Sequence, residues 1–144
     1  MQYFPSLYVL GKFATGLSNA QNKESKMTAL DVAMLAQHLL KTYPEVLDIT
    51  KLTNYTLSYN GATIMTTNKM LDTSNGELYF QGIDGLKTGF TDEAGYCFTG
   101  TAKQGEKRTI SVVMGTSEDT KRFIETKKIF SYRFNKISST FLNW

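Results

Sequence analysis

The chain has 144 residues, of which 41% are hydrophobic and 20% are charged, and this composition suits one compact globular domain with a sizeable core. Sixteen Lys and Arg residues against thirteen Asp and Glu residues leave a net charge of +3, and because the basic residues are scattered, they exclude the clustered basic surface of a nucleic-acid-binding protein. A single cysteine, Cys97, excludes an internal disulfide, and since no Cys/His cluster has zinc-ligand spacing, no metal or cofactor is predicted.

The first 26 residues lack a regular hydrophobic pattern. They contain apolar side chains but neither a basic segment nor a small-residue cleavage site, so they do not indicate a secretory signal. No apolar run approaches the ~18 residues that cross a bilayer. If the parent protein is exported, its export signal is expected outside this chain.

Two helices are predicted next. Thr28 is a suitable N-cap, and Asp31 lies in the first turn, where negative charge favours the helix dipole. From there apolar residues recur at helical spacing through about residue 41: Leu30, Ala33, Met34, Leu35 and Leu39. Pro44 then favours the start of a short helix over residues 45–49. His38, the only histidine, is expected to have a structural role in the first helix.

Five strands and a last helix follow. Residues 53–58 and 63–67 are rich in threonine and apolar side chains, and Asn60-Gly61 between them predicts a hairpin. Strands are also predicted at residues 85–89, 95–102 and 108–114, with one sheet face buried and Cys97 as a small buried residue. Residues 118 to about 134 predict a helix with a shared apolar side: Phe123, Ile124, Phe130 and Phe134. Helices first and antiparallel strands after imply an α+β fold.

The segment with the clearest chemistry is Gly82-Ile83-Asp84-Gly85-Leu86-Lys87-Thr88-Gly89-Phe90-Thr91-Asp92-Glu93-Ala94-Gly95-Tyr96. Lysine supplies a cation, threonine a hydroxyl, and glycine leaves the strand uncovered by a side chain. Together they predict a β-edge that binds the anionic end of an extended peptide as an added strand. An isolated Lys-Thr-Gly is weak evidence, and the alternative is an exposed strand lysine followed by a turn.

This segment resembles the Lys-Thr-Gly strand of serine D-alanyl-D-alanine carboxypeptidases, the low-molecular-mass penicillin-binding proteins related to serine β-lactamases. Further segments are similar in the same order: residues 14–17 (although Phe13 stands where asparagine is expected), 28–40, 67–71, 95–102, 110–115, 122–123 and 132–134. The resemblance implies a partial β-lactamase/transpeptidase-like domain over residues 1–144. Its expected parts are about three core strands and a hairpin, packed with an N-terminal helical pair and a C-terminal helix.

The resemblance also implies roles for individual residues. Lys87 would be the catalytic lysine that interacts with the substrate and the serine network. Thr88 would donate its hydroxyl to the terminal carboxylate of a peptidoglycan stem peptide ending in D-Ala-D-Ala. Gly89 would be a substrate-binding residue, and the backbone N–H of Phe90 would be an oxyanion-hole donor. Arg122 falls where the family places a substrate-binding arginine, with a solvated arginine at a helix start as the open alternative.

The family's nucleophile is a serine in Ser-x-x-Lys, and none of the ten serines has a lysine three residues later. Ser58-Tyr59-Asn60 fits the letters of the family's Ser-x-Asn element but lies on a predicted hairpin strand. The chain is therefore expected to be a C-terminal portion that is inactive alone. We expect its exposed apolar surface to be covered by an N-terminal half or by self-association.

The sequence leaves three alternatives open for the function of this protein. The resemblance implies a serine carboxypeptidase that acts outside the cytoplasm, associated with the membrane, and binds β-lactams when complete. A β-lactamase or transpeptidase shares the Lys-Thr-Gly strand, although residues 91–96 favour the carboxypeptidase branch. From a different class, the chain could be a non-catalytic remnant or peptide-binding module.

Overall fold

A computed structural model describes residues 19–20 and 24–140, with side chains through residue 135. This part of the chain is an α+β structure with helices α1 (Ala29–Thr42), α2 (Val46–Thr50) and α3 (Asp119–Thr140), a hairpin of β1 (Asn54–Thr56) and β2 (Thr63–Met65), and strands β3 (Ile83–Thr91), β4 (Gly95–Gln104) and β5 (Lys107–Thr116). A short 3-10 turn (Lys69–Leu71) lies between the hairpin and β3. The predicted fold class is confirmed, and the segment at residues 14–17 lies outside the described residues.

Helix α1 begins at the predicted cap. The Thr28 hydroxyl accepts from the Asp31 N–H at 3.1 Å, and the Asp31 carboxylate accepts from the Thr28 N–H at 3.0 Å, which forms a capping box. The predicted apolar face is wrong in part, because Ala36 is the buried residue while Leu30 and Leu35 are exposed. Helical periodicity identified the helix, whereas the side that faces β5 depends on how the helix crosses the sheet.

The hairpin forms where Asn60-Gly61 predicts it, with shorter strands than expected. Leu57 and Ala62 close the ladder through a 2.8 Å backbone hydrogen bond, so four residues form the turn rather than two. Gly61 lies there at φ 69°, a conformation that glycine adopts without strain. Ser58-Tyr59-Asn60 is part of this turn and not of a helix.

The three-stranded sheet is antiparallel, in the order β3-β4-β5. Each predicted strand is present and extends a few residues beyond its predicted bounds. The prediction that only one face is buried is wrong. Helix α3 covers Ser111 on one face, and α1 packs on the other, where Ile110 and Val112 are half-buried.

Helix α3 supplies much of the core. Phe123, Phe130 and Phe134 are buried against β4 and the segment before β3, and the rings of Phe98 and Phe123 lie 5.1 Å apart. This confirms the predicted apolar side of the helix. Thr126, which was not predicted as a core residue, is also fully buried, and its hydroxyl donates to the Arg122 carbonyl at 2.8 Å.

Large apolar side chains are exposed on α2, on the hairpin and between these two elements: Ile49, Leu52, Tyr55, Tyr59, Ile64 and Met65. In the described residues, no helix combines the length and apolarity needed to cross a membrane.

Candidate functional site

The Lys-Thr-Gly segment lies in the middle of β3, at one edge of the sheet. Lys87, Thr88 and Gly89 stand opposite Thr99, Phe98 and Cys97 of β4. Among the described strands, β3 pairs with β4 alone, so its other edge faces the hairpin and solvent. A strand with one open edge can accept an extended peptide through main-chain hydrogen bonds.

Lys87 is exposed and borders two hollows, one on each side of the strand. The larger is a groove of about 500 Å³ between β3 and the hairpin, whose lining includes Leu86, Thr88, Thr67 and Ile64. The smaller, about 170 Å³, includes Gly89, Cys97 and Val112 in its lining. The Lys87 ammonium donates to the Thr88 carbonyl, which keeps the cation close to the strand beside the groove.

Thr88 is 8% exposed, and its hydroxyl lies 2.6 Å from that of Thr67. Thr67 precedes the 3-10 turn, which is fixed because the Asn68 side chain accepts from the Met70 N–H at 3.1 Å. The sequence did not identify Thr67 as a site residue. Its position in the segment similar to the family, 67–71, was the available signal.

Gly89 and Phe90 form the end of the motif. Among the described residues, a Cβ on Gly89 would have only the Cys97 Cβ within 4.0 Å, so the strand backbone is uncovered on this side by that part of the chain. Phe90 is 51% exposed and its ring packs 4.3 Å from the ring of Tyr96. Cys97, predicted to be buried, is only half-buried and carries a free thiol, because it faces the smaller hollow and not the core.

Arg122 lies behind the strand. This residue is 6% exposed, and its guanidinium donates to the Gly89 carbonyl at 3.0 Å and to the Cys97 carbonyl at 3.2 Å. It also packs 5.3 Å from the centre of the Tyr96 ring. The alternative of a solvated arginine is therefore wrong, and in this structure the guanidinium contacts the strand backbone rather than the open edge.

Asp119, at the start of α3, holds this arginine. Its carboxylate accepts from the Arg122 guanidinium and forms an ion pair with Lys69 of the 3-10 turn at 2.5 Å. Partial burial of the Asp119 carboxyl acts to raise its pKa, but the Lys69 hydrogen bond and the charges of Arg122 and Lys69 prevail and place the pKa below its usual value of 3.8. Asp119 and Lys69 were not predicted as site residues from the sequence. The available signal for Asp119 was its place three positions before an arginine.

A second arginine fixes the start of β3. The Arg108 guanidinium donates to both carboxylate oxygens of Asp84 at 2.9 and 2.8 Å and to the Thr101 hydroxyl at 2.7 Å. Helix α2 packs on the same stretch, where the Thr50 hydroxyl donates to the Asp84 carbonyl at 2.8 Å. Both ends of the candidate strand are thus attached to other elements by side chains.

A family model described as D-alanyl-D-alanine carboxypeptidase matches residues 12–118, and the chain belongs to this family.

Similar proteins include D-alanyl-D-alanine carboxypeptidase DacF of Bacillus subtilis, 34% identical over 128 residues that make up 87% of this chain and 30% of DacF. DacC of Escherichia coli is 37% identical over 74% of this chain and 25% of its own length. The chain therefore spans less than a third of these relatives.

Comparison with solved structures indicates the same family. Penicillin-binding protein D2 from Listeria monocytogenes, in its cefotaxime-bound form, superposes with a TM-score of 0.75 at 43% identity, covering 84% of this chain and 46% of that chain. A peptidoglycan synthesis regulatory factor (PBP3) from Streptococcus pneumoniae gives 0.71 at 41% identity, covering 81% and 35%. The described residues thus correspond to a part of the penicillin-binding protein fold.

Proposed function

We propose that this chain is the part of a serine-type D-Ala-D-Ala carboxypeptidase that binds the carboxyl end of a peptidoglycan stem peptide. The observation that carries the proposal is the open edge of β3. Lys87 and Thr88 line the groove beside the hairpin, and both residues also border the smaller hollow, where Gly89 leaves the backbone uncovered. These groups match the charge and the hydrogen-bonding needs of a terminal carboxylate on an extended chain.

In this proposal each site residue has a distinct task. Lys87 supplies positive charge to the substrate and to the serine network of the complete enzyme, and Thr88 donates its hydroxyl to the substrate carboxylate. Donation to a ligand leaves the Thr88 oxygen able to accept from Thr67, because a hydroxyl can donate and accept at once. The N–H of Phe90 is the proposed oxyanion-hole donor, and such a donor typically lowers the barrier by about 3 kcal/mol.

None of the ten serines in this sequence belongs to Ser-x-x-Lys. We propose that the complete protein supplies the nucleophile from outside this sequence, acts through an acyl-enzyme, binds β-lactams and works outside the cytoplasm. The exposed apolar side chains on α2 and the hairpin are compatible with a surface that further chain would cover.

A peptide titration tests the binding part. The 144-residue chain is titrated with a peptide ending in D-Ala-D-Ala and with the same peptide ending in a carboxamide. We expect binding of the free carboxylate, weaker binding of the amide, and loss of that difference in Lys87→Met. Lys103→Met, which removes an exposed lysine on β4, is the matched control. Equal binding of acid and amide by the unaltered chain would contradict the assignment.

A peptide-binding module without chemistry is the second candidate, favoured by the absence of Ser-x-x-Lys. Labelled penicillin separates the two candidates when it is applied to the product of the longest reading frame that contains this sequence. A covalent band supports the carboxypeptidase. Carboxylate-dependent binding without any band, in a frame that also lacks Ser-x-x-Lys, supports the module. Nitrocefin turnover would point to a β-lactamase instead.

A further inference from the structure

A continuous chain of charged contacts runs from the 3-10 turn to the backbone of the candidate site. Lys69 pairs with Asp119, Asp119 holds the Arg122 guanidinium, and that guanidinium donates to the Gly89 carbonyl at 3.0 Å. The proposed function uses none of Lys69, Asp119 and the buried face of Arg122. Their common end point is the peptide group that links Gly89 to Phe90.

That peptide group is one rigid unit. A trans peptide is planar, and its C=O and N–H point in opposite directions. Because the Gly89 carbonyl points back toward Arg122 and the body of the protein, the Phe90 N–H of the same unit points toward the open edge of β3. The arginine is therefore bonded to one end of the group whose other end is the proposed oxyanion-hole donor.

We propose that Arg122 and Asp119 are positioning residues that orient and polarise the Gly89–Phe90 peptide, so that the Phe90 N–H becomes a stronger and better-aimed donor. This inference rests on the proposed function for its use in the reaction, but the effect on the peptide group itself does not require the reaction. A charged donor on a carbonyl withdraws electron density from the amide, and linked hydrogen bonds strengthen one another in a low-dielectric setting.

The surroundings of the guanidinium favour this effect. Arg122 is 6% exposed, and its guanidinium lies 4.9 Å from the centre of the Phe123 ring, so water screens its charge little. Asp119 fixes its orientation, and within the described structure the buried Arg122 Nε has no hydrogen-bond partner. The contacts to Asp119 and to the backbone are therefore the ones that hold it. Lysine could not replace it, because a single ammonium cannot span the carboxylate and the strand as the planar guanidinium does.

The direct test follows the backbone nitrogen of Phe90 by ¹⁵N NMR of the 144-residue chain. In Asp119→Asn we expect an upfield shift of the Phe90 nitrogen resonance. The reason is that the hydrogen bond from Arg122 to the Gly89 carbonyl, which belongs to the same peptide group as this nitrogen, becomes weaker. Glu125→Gln is the matched control, since it neutralises an exposed carboxylate that pairs with Lys128 on the same helix. A Phe90 nitrogen that stays in place in Asp119→Asn, or moves equally in both variants, would overturn the proposal.

Arg122→Lys provides a second variant should Asp119→Asn not fold, with the same resonance and the same expected direction. A purely structural role would lower the melting temperature without a selective effect at Phe90, so the two measurements together separate positioning from stability.

The test in the reaction uses the product of the longest reading frame that contains this sequence. If it is acylated by penicillin, we expect Asp119→Asn to slow acylation about tenfold, less than the 10²–10³ lost when a whole oxyanion donor is removed, with little change in binding before acylation. An unchanged acylation rate would contradict the positioning role of Asp119 and Arg122 and would leave the proposed function intact. Absence of acylation in the unaltered protein would instead contradict the proposed function and leave the NMR result to decide the positioning role.

Discussion

The two threonines at the centre of the site show how one hydroxyl can depend on another. Thr88 was identified from its place after Lys87, but its orientation is set by Thr67, 2.6 Å away and 21 residues earlier in the chain. The contact is partly buried, so the loss of either hydroxyl removes a hydrogen bond that water replaces incompletely. The site residue and its partner should therefore be treated as a pair.

Replacing Thr67 with valine is expected to lower the free energy of unfolding by about 1 kcal/mol, because a partly buried hydrogen bond is lost with little change in shape. Urea unfolding measures the effect. Thr56→Val is the matched control, since Thr56 and Thr63 form an exposed hydroxyl pair at 3.0 Å on the hairpin and its loss should cost less. An equal change in both variants would show that burial of the Thr67–Thr88 contact is unimportant.

Asp119 makes the stability of the chain sensitive to acid. Its folded-state pKa lies below 3.8, so the unfolded chain binds its proton at a higher pH than the folded chain. The stability that its ionised form contributes is complete above the unfolded pKa, near 3.8, and is lost as pH falls through the lower folded value. In Asp119→Asn, chemical unfolding from pH 6 to pH 2.5 should show a shallower loss of stability than in the unaltered chain. An unchanged slope in Asp119→Asn would contradict this assignment.

At the scale of elements, packing between α3 and β4 depends on a glycine. A Cβ added to Gly100 would lie 2.9 Å from the Phe98 ring and 3.1 Å from Thr126 Cγ2. Both neighbours are fully buried and have little room to move. The helix can approach the sheet this closely only because the strand lacks a side chain there.

Gly100→Ala is therefore expected to destabilise the chain by about 1–3 kcal/mol through overpacking. Gly76→Ala serves as the control, because a Cβ there meets nothing within 4 Å in the part of the chain that the structure describes. Thermal unfolding of both variants measures the difference. Unfolding temperatures that remain equal would mean that α3 shifts away from the sheet at no cost.

The elements themselves were largely predictable from sequence, because their signals are local. The Thr28–Asp31 capping box and the Asn60-Gly61 turn act within a few residues, and they fixed the start of α1 and the position of the hairpin. The contacts between elements were not predictable. The buried face of α1, the burial of Arg122 and the pairing of Thr67 with Thr88 each depend on residues brought together by the fold across long stretches of sequence.

At the scale of the whole molecule, the three-stranded sheet and the Lys-Thr-Gly segment of β3 are present, whereas the sequence contains no Ser-x-x-Lys. We expect that the 144-residue chain alone forms no covalent adduct with labelled penicillin, because no serine in it has the family's lysine partner. A gel after incubation checks this, with a known penicillin-binding protein as the positive control. Rapid labelling of the isolated chain would mean that another nucleophile takes the acyl group.

The attachment of β3 at both ends limits how this segment can change length. The Asp84 carboxylate is held by Arg108 and the Gly89 carbonyl by Arg122, and these arginines come from β5 and α3. An insertion or deletion of one residue between positions 84 and 89 would displace one attachment point and turn the following side chains to the opposite face. Related sequences should therefore keep the spacing between positions 84 and 89, whereas the turn that joins β4 to β5 can accept extra residues.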